Sequence, residues 1–405
     1  MTPTHFDTDM LIVGGGILGL ANALEAAELG RDVTLLERHQ RARGASVRNF
    51  GMIWPIGQPA GHLHDLARRS RRRWIEVAQE AGFRCDPCGS VHLATRDDEL
   101  AVMAEFAASD AARDYPVELL DDKAARTTSP AATPAVIGGL WSTDECAVDP
   151  RSAIPSLTRH LVQALAVDVR PGQCVVDVQP TRDGGFVATT TRGTRWTARE
   201  ILICSGHELH LLLPELLDAT GIRPCLLQML DTNAQPPDWR LGPHVASGLS
   251  LRHYRTFEAC PGLPALRERI ARETPELDQH GIHVMAAQTA EGHVVLGDSH
   301  HYHAEPPPFR DEVVDDLILR ELRKLIDLPD WSLRHRWTGV YAKHPAEPFI
   351  YHELAPGFRL LTGIGGNGMT LSFGLAEDIQ RARLAPTPPP LPWTPAPRTP
   401  PVHHV

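Results

Sequence analysis

The sequence predicts a mixed architecture, α/β plus α+β, in which a parallel-sheet domain assembled from distant parts of the chain is interleaved with a domain on an antiparallel sheet. Three observations predict it. Residues 9–37 read as strand, glycine turn, small-residue helix and strand. Two more strand–glycine elements, Ile201–Gly206 and Gly363–Gly368, recur far along the chain. Between them, residues 223–300 alternate strands with one helix, Leu263–Glu273. The first pattern is a βαβ unit, and its return after a long insertion implies one sheet built from both ends.

At 405 residues the chain exceeds one ordinary core and suits two domains. Apolar residues make up 42% and charged residues 22%, a globular balance. The net charge of −10 argues against nucleic acid as a partner, because phosphate backbones need a basic face. No apolar run reaches the roughly 18–20 residues that cross a bilayer. The start, MTPTHFDTDMLIVGGG, lacks the basic and long apolar regions of a signal peptide, so a cytoplasmic protein is expected. Seven scattered cysteines fit reduced thiols, and Cys85-Asp-Pro-Cys88 has no second pair to make a zinc site. His300, His301 and His303 lack a ligand frame, so no metal is expected.

Taken in order, Met10–Val13 is a continuous apolar run, as a buried parallel strand requires. The helix from Ile17 to Leu29 carries alanines that permit close packing and stops at Gly30; Val33–Leu36 is the next strand, ending at Glu37. Residues 62–82 read as a helix with a basic side, 91–94 as a strand, 97–112 as a helix, 141–149 as a loop and 152–165 as a helix. Strands at 175–178 and 186–191 flank an Asp183-Gly-Gly185 turn. Glu200–Cys204 is a buried strand leading to Ser205-Gly206 and a helix through Leu217. Glu312–Leu325 is helical, Arg359–Thr362 is the last buried strand, and a helix spans 370–383. The proline-dense tail from Ala385 is expected to stay extended and uncored. The implied domains are 1–80, 150–220 and 335–384 around the dinucleotide, 81–149 and 221–334 around the substrate, and a tail at 385–405.

Gly14-Gly-Gly16-Ile-Leu-Gly19 fits GxGxxG. The first glycine allows the turn, the second lets backbone approach a pyrophosphate, and the third lets helix and strand pack closely. Glu37, at the end of the following strand, suits the hydroxyls of an adenosine ribose. A nicotinamide enzyme usually completes its nucleotide sheet in one block. A sheet drawn from both ends, with a second helix N-terminus at residues 366–370, suits the longer FAD.

The chain resembles the D-amino-acid oxidase superfamily of FAD enzymes, nearest to glycine oxidase and sarcosine oxidase, to about residue 384. The matching pieces are LIVGGGILGL, Glu37-Arg38, Gly44-Ala-Ser46 with Asn49-Phe-Gly51, ILICSG and TGIGGNGMTLSFGLAEDI. The resemblance implies a Rossmann-type FAD domain with an interleaved antiparallel-sheet substrate domain, as in glycine oxidase. It further implies that Leu18 and Gly19, with Gly14 and Gly16, meet the pyrophosphate, and that Glu37 and Arg38 meet the adenosine. Ala45 and Ser46 approach the phosphates; Phe50, Gly51 and Met52 lie beside the flavin. Val175 bonds adenine, Gly206 closes the second strand, and Gly366, Asn367, Gly368, Met369 and Thr370 line the flavin edge. Ser46 and Asn49 also suit an ordinary helix cap or loop bond.

The chain departs from that family where the substrate carboxylate is held. The Gly-x-Arg-Pro turn becomes Trp337-Thr-Gly-Val-Tyr341-Ala-Lys343, and the second arginine position is Gly366. Arginine is the residue suited to a planar carboxylate, so a plain α-amino acid is disfavoured. Tyr254, Tyr341 and Lys343, with His335, Arg336, Arg252 and Arg255 near, make a donor-rich set suited to a tetrahedral anion; alternatively the basic ones are surface residues. GASVRNFGMIWPIGQP, GIHVMAAQ with VVLGDSHHY, and WTGVYAKHP resemble a subgroup associated with bacterial phosphonate breakdown. That likeness implies oxidation of 2-aminoethylphosphonate or its N-methyl form by hydride transfer to flavin and imine hydrolysis. The products are phosphonoacetaldehyde and ammonia or methylamine, with oxygen or another electron acceptor as co-substrate. A homo-oligomer is compatible with the sequence. The alternatives are a glycine, sarcosine or D-amino-acid oxidase or dehydrogenase using an arginine such as Arg252, a 2-hydroxy-acid or glycerol-phosphate dehydrogenase, and a non-catalytic FAD subunit.

Overall fold

The computed structural model describes residues 5–302 and 305–395. The first strand, His5–Val13, lies at the centre of an eight-stranded sheet between Arg195–Ile203 and Val33–Glu37, parallel to both. Asp168–Pro171 extends the parallel set on one side and Phe358–Thr362 on the other. The residues that pair here come from both ends of the chain, as the recurring strand–glycine pattern requires. Val175–Pro180 and Phe186–Thr190 add an antiparallel hairpin at the edge.

The helix Ile17–Glu28 is buried along most of its length. It packs against the helix Gly368–Gln380, which in turn crosses His62–Ala81. That crossing is close because Gly374 has no side chain: a Cβ there would stand 2.3 Å from the Leu66 carbonyl oxygen.

A nine-stranded sheet forms the second layer. Its longest pairing joins Arg223–Ala234 antiparallel to Leu333–Lys343. A large apolar core lies between this sheet and the helices Asp97–Ala107, Leu263–Glu273 and Glu312–Leu325.

Several expectations are corrected. Residues 141–149 are not a loop: the strands Gly138–Ser142 and Cys146–Val148 occupy the region. Gly138 and Gly139 fit this strand because a Cβ on either would meet a neighbouring carbonyl oxygen at 2.7 Å. The segment around Gly339 is an 11-residue strand rather than a turn. It pairs within the second sheet, so the boundary expected at 335 falls inside it. Residues 251–255 are not in the sheet but lie on the short 3₁₀ turns Gly248–Arg252 and Arg255–Phe257. The helix expected over 97–112 ends at Ala107 and yields to a 3₁₀ turn. The tail is not wholly uncored either. Thr387 hydrogen-bonds the Tyr351 carbonyl, and Trp393 packs edge-on to Phe358 at 4.8 Å. The last part of that tail, from residue 396, lies outside the described residues. No helix among them is long and apolar enough to cross a membrane.

Candidate active site

A cavity of about 460 Å³ is lined by residues of both sheets and by the N-termini of two helices. Its first wall is the glycine turn. Gly14 sits at φ 116°, where a Cβ would stand 2.4 Å from the Cys204 carbonyl oxygen; one on Gly19 would stand 1.9 Å from that of Gly14. Neither position admits a side chain. The helix Ile17–Glu28 begins on Gly16 with no side-chain cap and no acid in its first turn. The Ile17 N–H donates to Ser46 Oγ at 2.9 Å. Glu37 is held beside the turn by the N–H groups of Gly15 (2.9 Å) and His39 (2.8 Å). Arg38 pairs with Glu208 from the next strand–glycine element.

Gly14, Gly16, Leu18, Glu37, Arg38, Val175 and Gly206 all line this end of the cavity. Ala45, Ser46, Asn49, Phe50 and Met52 line its middle. Asn49 serves its own loop, donating to the Ala45 carbonyl (2.9 Å) and accepting from the Gly51 N–H (2.7 Å). Gly19 and Gly51 do not reach the wall; both are glycines of close packing, with a Cβ on Gly51 only 1.8 Å from the Val148 oxygen. Gly366, Asn367, Gly368, Met369 and Thr370 form a third wall at the start of the helix Gly368–Gln380. Asn367 Oδ1 accepts from Gln58 and Thr370 Oγ1 from the Trp54 N–H, so this helix start is tied to the strand Met52–Ile53 and the turn after it.

These walls fit FAD. The glycine turn gives backbone access to a pyrophosphate, and both helix N-termini are free of acidic side chains. Ser205 Oγ, Gln173 Oε1 and Trp54 Nε1 are buried on the cavity wall with no hydrogen-bond partner in the protein. Buried polar atoms without a partner are costly, and a polar cofactor would satisfy them.

Tyr254, Tyr341 and Lys343 share the remaining wall. Tyr254 O–H donates to Met285 Sδ at 3.2 Å, and its ring fits against Gly57. Burial pushes the phenols of Tyr254 and Tyr341 up, so both stay protonated donors. Tyr341 and Lys343 sit two apart on one strand and therefore share a face. Both reach Gly365, and Tyr341 also reaches Gly366. Burial, and then nearby Arg255, hold the Lys343 ammonium below its usual range. Among the described residues neither Lys343 nor Arg255 has a carboxylate within ion-pair distance. Arg252 and Arg336 do, and neither lines the cavity: Arg252 pairs with Asp278 and bonds two carbonyls, and Arg336 pairs with Asp315. His335 bonds Asp231 away from the site.

Sequence reasoning missed one feature. His253, His283 and His300 come together on this wall beside Asp298. The segments GIHVMAAQ and VVLGDSHHY that carry three of these four groups were singled out for their likeness, but only folding brings their side chains together.

Comparisons with known proteins follow the same architecture. The family model described as FAD dependent oxidoreductase (DAO) matches residues 9–381. The bifunctional protein ThiO/ThiG of Synechocystis sp. is 30% identical over 378 residues, covering 90% of this chain and 50% of that protein. L-2-hydroxyglutarate dehydrogenase of Escherichia coli is 25% identical over 230 residues, covering 53% of this chain and 50% of its own length. The chain thus spans about half the length of these curated relatives. Among solved structures, glycine oxidase from Bacillus cereus superposes with a TM-score of 0.74 at 17% identity, covering 93% of this chain and 96% of that one. The FAD-bound L-α-glycerophosphate oxidase from Mycoplasma pneumoniae gives 0.73 at 19%, covering 96% and 100%.

Proposed function

The chain belongs to the DAO family of FAD-dependent oxidoreductases, and from that premise we propose that it oxidises a small amine bearing a tetrahedral anion, 2-aminoethylphosphonate or its N-methyl form. The pyrophosphate of FAD is assigned to residues 14–19 and 45–46, its adenosine to Glu37, Arg38 and Val175, and its ring edge to residues 366–370.

One observation carries the substrate assignment. The two positions where the family's amino-acid oxidases hold a carboxylate with arginine are Tyr341 and Gly366, and two cations of the cavity wall near them, Lys343 and Arg255, have no carboxylate within ion-pair distance among the described residues. An ammonium is a compact point charge that suits a phosphonate, whereas a planar carboxylate prefers the guanidinium fork.

Held by the residues assigned to it, FAD would supply the acceptor for the hydride of the amine-bearing carbon. The chain's own residues fix the anionic end with Lys343 and the hydroxyls of Tyr254 and Tyr341, so that the C–H lies toward the cofactor; orientation of this kind supplies much of the rate. A cation beside the substrate lowers the proton affinity of its amine, which must be neutral to form the imine. Water then completes hydrolysis to phosphonoacetaldehyde and ammonia or methylamine.

The rival reading, oxidation of glycine, sarcosine or a D-amino acid, needs an arginine at the substrate. Arg252 is engaged by Asp278 and by the carbonyls of Leu249 and Ile282 and does not line the cavity, which disfavours it for that task. Anaerobic mixing of the holoenzyme with each candidate decides between them. Loss of the yellow flavin band with 2-aminoethylphosphonate or its N-methyl form, and not with glycine or sarcosine, is the expected result; the reverse pattern refutes the proposal.

A further inference from the structure

The histidines of the active-site wall have a geometry that their neighbours explain. The rings of His253 and His283 stack with centroids 4.0 Å apart and planes 26° apart; those of His283 and His300 stack at 4.7 Å and 22°. Asp298 lies at the side of the stack, its Oδ1 3.3 Å from His283 Nε2 and its Oδ2 4.0 Å from His300 Nε2. His300 Nδ1 faces the Gly281 carbonyl at 3.4 Å, which sets the proton there and leaves Nε2 as a lone pair. His283 Nδ1 and Asp298 Oδ1 are buried without a hydrogen-bond partner.

A metal ion is a poor occupant for this arrangement. Rings lying face to face hold their in-plane lone pairs side by side, whereas an ion about 2.0–2.1 Å from each nitrogen needs them to converge. The charged and titratable neighbours point elsewhere. His253 faces Arg252, Arg267 and Lys343; His283 faces His92 and Arg252; His300 faces His301, Lys343 and Arg252. Tyr254 closes edge-on over His283. Apart from Asp298, every one of these groups is cationic or neutral.

We propose that the His253–His283–His300 stack, with Asp298 beside it and Lys343 in the same cavity, is a proton-linked site for a tetrahedral dianion. It takes up one proton from solvent as the dianion binds and so adds a second cation to Lys343. The inference rests on the aminophosphonate reading for the identity of its natural ligand.

The physical course is simple. Burial holds His283 and His300 below their usual range and Asp298 well above it, and His253, whose ring is open to the empty cavity, is lowered in the same direction, so the stack and Asp298 carry no charge and Lys343 is the cation beside them. An opposite charge within about 4–6 Å raises the proton affinity of an imidazole by on the order of 10- to 1,000-fold. The same anion disfavours ionisation of Asp298, which keeps its proton, so the added charge comes from solvent. Stacked rings this close carry one proton between them, because a second would face the first across one ring spacing. A monoanionic carboxylate gives about half the pull, so the wall discriminates by ligand charge as well as shape.

Sulfate tests this directly, because it is a tetrahedral dianion that does not itself titrate near neutrality. FAD-loaded protein is titrated with sulfate between pH 5.5 and 8.5 at constant ionic strength, with binding read from the flavin absorption band. Proton uptake is read with an indicator dye in weak buffer. We expect affinity to rise roughly tenfold per unit fall in pH across the linked range, with about one proton taken up per sulfate. His300→Gln and the cavity-facing His253→Gln should each flatten the pH slope while keeping the yellow spectrum. Lys343→Met should weaken sulfate at every pH and leave the slope. Binding that is flat with pH, slopes unchanged in both histidine variants, no binding at all, or a stoichiometric metal in the purified protein overturns the proposal. If aminoethylphosphonate fails to bleach the flavin while sulfate still binds with its proton, the amine reading falls and the anion site stands. If bleaching occurs while sulfate binding is flat, the histidine assignment falls alone.

Discussion

At Lys343 two effects oppose each other. Burial weakens its ammonium charge, and among the described residues no carboxylate lies within ion-pair distance of it. A hydrogen bond to a charged group is worth roughly 1.5–3 kcal/mol, or about ten- to a hundredfold in affinity. Lys343→Ala is therefore expected to raise KM for the aminophosphonate by about tenfold or more and to lower kcat by less than about threefold, because the contact is made in ground state and transition state alike. Steady-state kinetics of the variant check this, and a fall confined to kcat would remove Lys343 from anion binding. The residue scale was partly legible in the sequence. Tyr341 and Lys343 stood out as departures at a known position. His253, His283 and Asp298 did not, because no local spacing links groups on a 3₁₀ turn, a strand entrance and a strand exit; their meeting is a tertiary event.

Among the elements, the helices Ile17–Glu28, His62–Ala81 and Glu312–Leu325 were legible from apolar periodicity, and the first two from the glycines Gly30 and Gly82 that stop them. The strand Leu333–Lys343 was not, since its glycine and its charged residues read as a turn and only its pairing with ten residues of Arg223–Ala234 makes it a strand. On the basic side of His62–Ala81, Arg69 is largely buried. It bonds Asp65 on its own helix and both Glu377 and Asp378 on Gly368–Gln380. That clamp fixes the helix whose first turn lines the cavity. Removing one partner of a buried pair leaves an uncompensated charge on Asp378, a cost of about 2–3 kcal/mol once partial exposure of Glu377 is allowed for. Arg69→Ala should lower the temperature at which flavin fluorescence is released by several degrees, and Arg69→Lys should recover part of the loss. Equal release temperatures for Arg69→Ala and the parent would show that the clamp does not hold this helix.

On the scale of the whole molecule, two sheets meet over one cavity, and the histidines buried around it set how the fold answers acid. His92 and His244 are almost wholly buried, and burial holds them down to about 3 and about 4. Above pH 6.5 such a histidine is neutral in both states and contributes nothing to the pH dependence. Below 6.5 the unfolded chain gains a proton that the folded one refuses, so stability falls with pH until the folded values are reached. The steepest slope each can impose is about 1.4 kcal/mol per pH unit. His253, His283 and His300, also lowered by burial, act in the same direction. Glu145 acts in the other. Burial pushes it up to about 7, so its contribution is full below about 4.5 and is lost as pH rises through 7. Asp298, raised by burial, has the same sign. His64, His207 and His352 are lowered by burial as well, and Glu25 and Glu99 are raised by it, so eight histidines stand against four carboxyls and the histidines decide the net direction between pH 6.5 and 4.5. The urea midpoint of the FAD-loaded protein is therefore expected to fall steadily as pH drops through that window. A midpoint that holds level or rises between pH 6.5 and 5 would mean that these imidazoles are already charged in the folded protein, and the uncharged histidine stack on which the anion site depends would go with them.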